Sequence, residues 1–185
     1  MRLLFLGPPG VGKGTQAARV STALGVAHIS TGDMFRHHMS EGTPLGLRVK
    51  EIIARGDLVP DNLTTEMLLE RLAQPGAANG YILDGFPRTL PQAGALDEAI
   101  GAATLDAAVV LEAPDEVLVG RMMARGRSDD TESSVRNRLV VYERETAPLI
   151  AFYHDRGIVV KVSGKGRIET ITERIVGALA GLRRA

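Results

Sequence analysis

A glycine-rich segment near the start of the chain, Gly7-Pro8-Pro9-Gly10-Val11-Gly12-Lys13-Gly14-Thr15, combines flexible backbone with a lysine. It follows an apolar run at 3–6 and precedes a helical pattern. Glycines let the backbone curl so that successive N–H groups point into one concavity, to which the following helix adds its N-terminus. Lys13 supplies a cation for the outer phosphates of a nucleotide. The full G-x-x-x-x-G-K spacing between strand and helix therefore predicts a phosphate-binding loop rather than an ordinary glycine-rich turn.

The position after Lys13 narrows the class of protein. It is Gly14, where most such loops carry Ser or Thr for a metal, and Thr15 comes one residue later. This departure favours small kinases, which move a phosphoryl group between two bound substrates, over switch GTPases and motor ATPases. The chain also lacks an Asn-Lys-x-Asp motif for reading guanine, which counts further against a GTPase.

Two aspartates are candidates for holding Mg²⁺ through its water shell. Asp84 ends the apolar run 81–83, where a carboxylate beside a phosphate loop can bind the ion or its waters. Asp33 lies in the polar segment 30–36 after the second predicted strand. For each carboxylate the alternative role is a helix N-cap, and the sequence leaves both alternatives open.

Arginines form two further candidate groups. Arg36 and Arg88 either belong to a solvated surface or lie where an acceptor phosphate would sit, since phosphoryl transfer needs cations around the moving group. A second group surrounds the polar segment 126–132 and consists of Arg121, Arg125, Arg127, Arg136 and Arg138. This group is either a clamp that closes over a triphosphate or a solvated charged face. Asp129-Asp130 would then give charge balance or cap the next helix.

Composition excludes several classes of protein. The 185 residues have a formal net charge of zero, so no global charge recruits nucleic acid or an anionic membrane. There is no cysteine, which rules out disulfides and thiolate zinc sites. The first residues are too short in apolar content for a signal peptide. We therefore expect one domain and a cytoplasmic enzyme.

Short apolar runs alternate with longer helical patterns, which predicts an α/β fold with a parallel sheet. Strands are predicted at 2–6, 26–29, 80–84, 107–112 and 158–162. Helices are predicted at 13–24, 31–41, 44–55, 61–73, 89–100, 115–124, 132–155 and 168–183. The excess of chain between the second and third strands, 30–59, predicts a small helical subdomain, and 126–132 predicts a short mobile flap.

Six segments together resemble the adenylate kinase family. They are GPPGVGKGT, ISTGDMFR, GDLVP, ILDGFPRT with Gln92, RGRSDDT and VRNRLVVYERETAPLI, and the resemblance runs from Arg2 to about Gly166. It implies a P-loop kinase with a five-stranded parallel sheet, a nucleoside-monophosphate-binding region at 30–59 and a short lid at 126–132. It also implies reversible, Mg²⁺-dependent transfer from ATP to AMP giving two ADP, by a monomer. The missing cysteines rule out the zinc site of some relatives.

The same resemblance implies a role for individual residues. Those implied for ATP are Gly10, Val11, Gly12, Lys13, Gly14, Thr15, Arg125 and the Gly166 backbone, with Arg121 near the adenine. Those implied for AMP are Thr31, Arg36, Asp57, Leu58, Val59, Gly85, Phe86, Pro87, Arg88, Gln92, Arg127 and Arg138. Gln92 would read the adenine edge, and Arg36 and Arg88 would hold the α-phosphate. The implied catalytic residues are Lys13, Arg88, Arg127 and Arg138.

Two other functions stay open from the sequence. One is a kinase for UMP or CMP, against which Thr31 and Gln92 favour AMP. The other is a nucleotide-sensing module without turnover. Arginines spread over four segments argue against the sensor, because binding ATP alone needs no acceptor phosphate site.

Overall fold

Five parallel strands form the centre of the computed structural model, which describes residues 1–101 and 105–182. The strands are β1 Arg2–Leu6, β2 Ala27–Ser30, β3 Tyr81–Asp84, β4 Ala107–Glu112 and β5 Val159–Ser163. They lie in the order β2-β3-β1-β4-β5, and every neighbouring pair is parallel. All five predicted strands and the parallel sheet are confirmed, with shifts of a residue at some ends.

Helices cover both faces of this sheet. They are α1 Lys13–Leu24, α2 Thr31–Ser40, α3 Pro44–Arg55, α4 Asp61–Leu72, α5 Leu90–Ile100, α6 Asp115–Arg125, α7 Glu132–Val141, α8 Pro148–His154 and α9 Ile168–Leu182. Residue 183, the predicted end of the last helix, lies outside the described residues. Over the two described ranges, no helix has both the length and the apolar character that crossing a membrane requires.

The prediction of one continuous helix over 132–155 was wrong. A π-helical turn, Tyr142–Thr146, separates α7 from α8. Pro148 has no N–H to donate to the carbonyl four residues earlier, and its ring crowds that carbonyl. The backbone widens accordingly, and the Ala147 N–H donates to the Tyr142 carbonyl at 2.9 Å, five residues back.

Hydroxyl residues cap several helices, which settles two of the alternative roles. Ser30 caps α2 by accepting from the Asp33 N–H at 3.3 Å. Thr131 caps α7 by accepting from the Ser134 N–H at 3.2 Å. The capping role considered for Asp33 and for Asp129-Asp130 was therefore wrong, and their carboxylates have other partners.

The sheet divides the core into two layers because successive strand side chains point to opposite faces. Leu3 and Phe5 pack into one apolar cluster, and Leu4 packs into the other. A third, smaller cluster within α2–α4 includes Phe35 and Val49. The insert between β2 and β3 thus has apolar packing of its own.

Strand register brings the candidate residues to one edge of the sheet. Asp84 pairs with Phe5 of β1 and with Ser30 of β2, so these three strands end within one residue of the same level. The glycine-rich loop follows β1, and α2 begins directly after Ser30. Ligands of open parallel sheets bind at this carboxyl edge.

Candidate active site

The glycine-rich loop has the backbone that its sequence predicts. Gly7, Gly10 and Gly12 have φ values of 133°, 83° and 105°, which residues with a Cβ rarely adopt. Helix α1 starts directly afterwards at Lys13. The Lys13 ammonium donates to the carbonyls of Gly7 at 2.6 Å and Pro8 at 2.9 Å. The loop therefore brings a curled glycine backbone, a helix N-terminus and a cation together.

Burial lowers the pKa of Lys13 to about 8. The negative charge of Asp84 opposes this shift, whereas the positive charges of Arg88 and Arg125 add to it. The ammonium is thus close to losing its proton under mildly alkaline conditions, and an anion in the loop would raise this pKa.

Asp84 lies at the end of β3 with only 9% of its surface exposed. Burial alone would raise the pKa of its carboxyl, but the neighbouring His28 ring and Lys13 outweigh burial and lower it. The His28 Nε2 lies 3.5 Å from Oδ2. Thr89 caps α5, so the capping alternative for Asp84 was also wrong. A β-carbon on Gly14 would lie 3.2 Å from the same carboxylate oxygen, which shows how close this acid is to the phosphate loop.

Arg88 is the centre of the wall of the site that faces the phosphate loop. Its Nε donates to the Gly85 carbonyl at 2.8 Å, and its backbone N–H donates to Gln92 Oε1 at 2.7 Å. Thr146, in the π-helical turn, donates to the Arg88 carbonyl at 2.8 Å. The backbone of Arg88 is therefore fixed on both sides of its α-carbon.

The two residues predicted to recognise the base lie beside this arginine. Thr31 Oγ1 donates to the Gly85 carbonyl at 2.8 Å. Gln92 is only 2% exposed, and its Nε2 donates to Asp61 Oδ1 at 2.7 Å. The other oxygen of Asp61 accepts from Thr89 Oγ1 at 3.0 Å. Asp61 was not singled out in the sequence, although it holds two residues of this wall.

Arg36 is paired with Asp33 one helical turn earlier. Burial tends to raise the pKa of the Asp33 carboxyl, but the bonded Arg36 lowers it overall. The Asp33 side chain is 62% exposed and committed to this pair. Of the two carboxylates predicted near the metal, Asp84 is therefore the better placed beside the phosphate loop.

Two aspartates in the segment between α6 and α7 hold arginines of these two helices. Asp130, whose side chain is fully buried, accepts from Arg125 Nε and Nη2 at 2.9 and 2.7 Å. It also accepts from Arg138 Nη1 at 2.8 Å. Asp129 pairs with Nη2 of the same Arg138. Charge balance, one of the two alternatives for these aspartates, is confirmed.

Arg127 differs from its neighbours. Within residues 1–101 and 105–182 its guanidinium makes no hydrogen bond, although its backbone N–H contacts Asp130. Burial lowers the pKa of Arg127, and Arg36 and Arg125 lower it further. Burial and nearby arginines likewise lower the pKa of Arg88. Several cations that repel one another thus share one space, which an anion would stabilise.

The insert also contacts α7. Asn137 Nδ2 donates to Asp57 Oδ1 at 2.8 Å and to the Arg55 carbonyl at 3.0 Å. A β-carbon on Gly56 would lie 2.6 Å from the Ser134 carbonyl, so the backbones approach closely here. The predicted AMP region and the helix after the predicted lid are therefore joined directly.

A single open cavity of about 860 Å³ joins these walls. Every residue that the resemblance implies for ATP or AMP lines it except Phe86. Arg136, predicted with the clamp arginines, does not line it and pairs with Glu132 on the surface. The Phe86 ring is 1% exposed and packs in the apolar core, so it fixes the loop after β3 to that core. Arg121 lines the cavity while donating to the carbonyls of Val11 at 3.2 Å and Gly164 at 3.1 Å. It joins the phosphate loop to the loop after β5.

Comparison with known proteins agrees with this geometry. A sequence model described as adenylate kinase matches residues 5–158. The chain belongs to the adenylate kinase family. It is 49% identical to the adenylate kinase of Nocardia farcinica over 181 residues, covering 97% of this chain and 99% of that protein. It is 51% identical to the adenylate kinase of Xylella fastidiosa (strain 9a5c) over 185 residues, again covering 97% and 99%. The Micrococcus luteus enzyme is 48% identical over 190 residues, covering 100% and 93%.

Adenylate kinases are phosphotransferases that interconvert ATP, AMP and ADP. The resemblance seen in the sequence motifs and the P-loop kinase fold are thereby confirmed. The positive cavity beside a phosphate loop suits a transfer between phosphates. Among the described residues, no group of three or more acidic, His or Cys side chains is arranged to hold a metal ion by itself.

Proposed function

We propose that ATP binds on the Lys13 side of the cavity and AMP on the Arg88 side. The observation that carries this proposal is one open cavity with a phosphate loop on one wall and a separate arginine group on the other. A protein that only binds ATP needs the first wall and not the second. In-line transfer needs both, because donor and acceptor must face each other across the moving group.

On the ATP side, the loop wraps the phosphates with backbone N–H groups while Lys13 turns from carbonyls to phosphate oxygens. The proposed ATP residues are Gly10, Val11, Gly12, Lys13, Gly14, Thr15, Arg125 and Gly166. Arg121 supports this side by bracing the loop through Val11. Free N–H groups at a helix N-terminus provide most of the recognition.

On the AMP side, Arg36 and Arg88 hold the α-phosphate, and Arg127 and Arg138 reach toward the transferring group. The remaining proposed contacts are Thr31, Asp57, Leu58, Val59, Gly85, Phe86, Pro87 and Gln92, with Phe86 acting through its backbone. Guanidinium groups suit this task because they bind phosphate through two parallel hydrogen bonds.

Magnesium would reach this site together with ATP. The ionised Asp84 carboxylate offers the hard oxygen ligand that Mg²⁺ or its bound waters prefer. Asp33 is the second proposed contact, although Arg36 competes for its carboxylate. When bound, the ion would neutralise charge on the phosphates.

We propose that two segments move around this cavity, the monophosphate-binding region 30–59 and the short lid 126–132. Closing them would exclude water from the phosphates. A monomeric state and a cytoplasmic location are further predictions, to be checked by light scattering after size exclusion and by cell fractionation.

A coupled assay for ADP formation from ATP and Mg²⁺ tests the proposed function, with AMP, UMP, CMP and GMP offered in turn. We expect rapid turnover with AMP and slow turnover with the others. A preference for UMP or CMP would keep the mechanism but contradict the roles of Thr31 and Gln92. ATP binding without turnover on any acceptor would indicate a sensor and contradict the proposal.

A further inference from the structure

The Gln92 amide has partners that allow only one of its two orientations. On one side it faces the carboxylate of Asp61, which only accepts hydrogen bonds, at 2.7 Å. On the other side it faces the backbone N–H of Arg88, which only donates, at 2.7 Å. The NH₂ group must therefore face Asp61 and the oxygen must face Arg88. Rotating the amide by half a turn would set acceptor against acceptor and donor against donor.

We propose that Asp61 is a positioning residue that sets the choice of purine by locking the Gln92 amide. This inference rests on the proposed function, in which Gln92 reads the base of the acceptor. Asp61 is itself fixed, because its second oxygen accepts from Thr89 Oγ1 at 3.0 Å and its backbone begins α4. Its action on the base is indirect, through Gln92.

The locked amide has one N–H and one oxygen lone pair left for a ligand. This pair complements the edge of adenine, which presents an acceptor at N1 beside a donor at the 6-amino group. Inosine monophosphate (IMP) has the same phosphate, ribose and ring outline, but presents a donor at N1 beside an acceptor at O6. With the phosphate held by arginines, IMP needs the rotated amide that Asp61 opposes. Burial of Gln92 at 2% exposure sharpens this choice, since water cannot replace a mismatched partner.

Asp61→Ala tests the lock, with AMP and IMP as acceptors at saturating ATP and Mg²⁺. We expect the KM for AMP to rise about tenfold and the preference for AMP over IMP to fall about tenfold. The kcat with AMP and the KM for ATP should change by less than about threefold. Parallel changes in the KM for ATP and AMP, or an unchanged AMP-to-IMP preference, would overturn the inference.

Asp115→Ala is the matched control. Asp115 also begins a helix after a proline, but it is exposed and belongs to α6, away from Gln92. Asp61→Asn gives a second comparison, because its amide oxygen can still accept from Gln92. It should keep most of the AMP-to-IMP preference that Asp61→Ala loses. If Asp61→Asn loses as much as Asp61→Ala, the carboxylate acts through charge rather than by locking the amide, and the inference fails.

Three further measurements keep the test decisive. In a Gln92→Ala background, Asp61→Ala should not change the AMP-to-IMP preference further, whereas an additional loss would contradict action through Gln92. If Asp61→Ala does not fold, Asp61→Glu moves the carboxylate by one methylene and should shift the preference in the same direction. Wild-type protein that does not phosphorylate AMP would refute the proposed function itself, before any variant is compared.

Discussion

Lys13 and two arginines, Arg125 at the end of α6 and Arg138 in α7, place positive charge on the same cavity, but with different partners. Lys13 is held by two neutral carbonyls of its own loop. Arg125 and Arg138 are held by the carboxylates of Asp129 and Asp130. A phosphate reaching Lys13 displaces only dipoles, whereas a phosphate reaching Arg125 or Arg138 must compete with anions. Lys13 is therefore ready for its ligand, whereas Arg125 and Arg138 must exchange one anionic partner for another.

Lys13→Ala should have the largest effect on this comparison. We expect kcat to fall by about a hundredfold or more, because the lysine is the cation of the phosphate loop. Steady-state ADP formation with ATP and AMP measures the loss. Lys161→Ala, which removes an exposed lysine paired with Glu112, should leave kcat unchanged. Near-normal turnover of Lys13→Ala would contradict the role of the phosphate loop.

Arg88→Ala should separate the two substrates. We expect the KM for AMP to rise and kcat to fall, each by about ten- to a hundredfold, while ATP affinity is retained. Arg88→Lys keeps the charge without the planar fork and should fall between the alanine variant and the wild type. The decisive observation is ATP binding by calorimetry. If ATP binding is lost while the KM for AMP stays the same, the proposed position of the acceptor site is wrong.

The binding of ATP at the phosphate loop should also depend on pH. Because the pKa of Lys13 is about 8, its ammonium is charged below that pH and neutral above it. ATP favours the charged form, so its association constant should fall above pH 8 by up to about tenfold per pH unit. Calorimetric titration between pH 7 and 9.5 measures this. Lys13→Arg keeps its charge over this range, and its profile should be flatter. Equal slopes for both proteins would exclude Lys13 as the titrating group.

Asp130→Asn tests whether Arg125 and Arg138 depend on the anion that holds them. The change removes the charge that holds Arg125 and Arg138, and these side chains should become more mobile. We expect kcat to fall by about three- to tenfold and the free energy of unfolding by about 1–2 kcal/mol. Activity assays and urea denaturation measure the two effects. Asp155→Asn, at an exposed carboxylate, is the control and should leave both quantities unchanged.

Asn137→Ala should have the smallest effect. It removes the contact between α7 and Asp57 without touching either row of phosphate-binding cations. We expect the free energy of unfolding to fall by about 0.5–1 kcal/mol with kcat within about twofold of wild type. Urea denaturation monitored by circular dichroism measures the change, with the exposed Asn79→Ala as control. A loss of kcat comparable to that of Asp130→Asn would mean that the insert between β2 and β3 and the segment between α6 and α7 act as one unit.

The features that the sequence predicts are those that do not depend on how distant parts of the chain pack together. The phosphate loop is contiguous, so glycine spacing and one lysine define it without tertiary information. The strands are predicted equally well, because both faces of the sheet are buried and each strand is therefore a short apolar run. Asp61 and Gln92, in contrast, are 31 positions apart, and nothing in either local sequence specifies that they meet. The partners of Asp130 are only five and eight positions away, but packing decides which of the nearby arginines reaches its buried carboxylate.

The one misassigned helix teaches a related lesson. No glycine interrupts 132–155, and the π-helical turn leaves the chain helical on both sides of the break. Pro148 was the available signal. Its consequence reaches the site, because the widened turn carries Thr146, whose hydroxyl fixes the Arg88 carbonyl.

The single cavity also has a stereochemical consequence. Because both phosphate walls open into one space, the moving group need not rest on the protein between donor and acceptor. One displacement at phosphorus inverts its configuration, whereas a relay through an enzyme side chain would restore it. A γ-phosphorus made chiral with oxygen isotopes should therefore emerge inverted in the ADP formed from AMP.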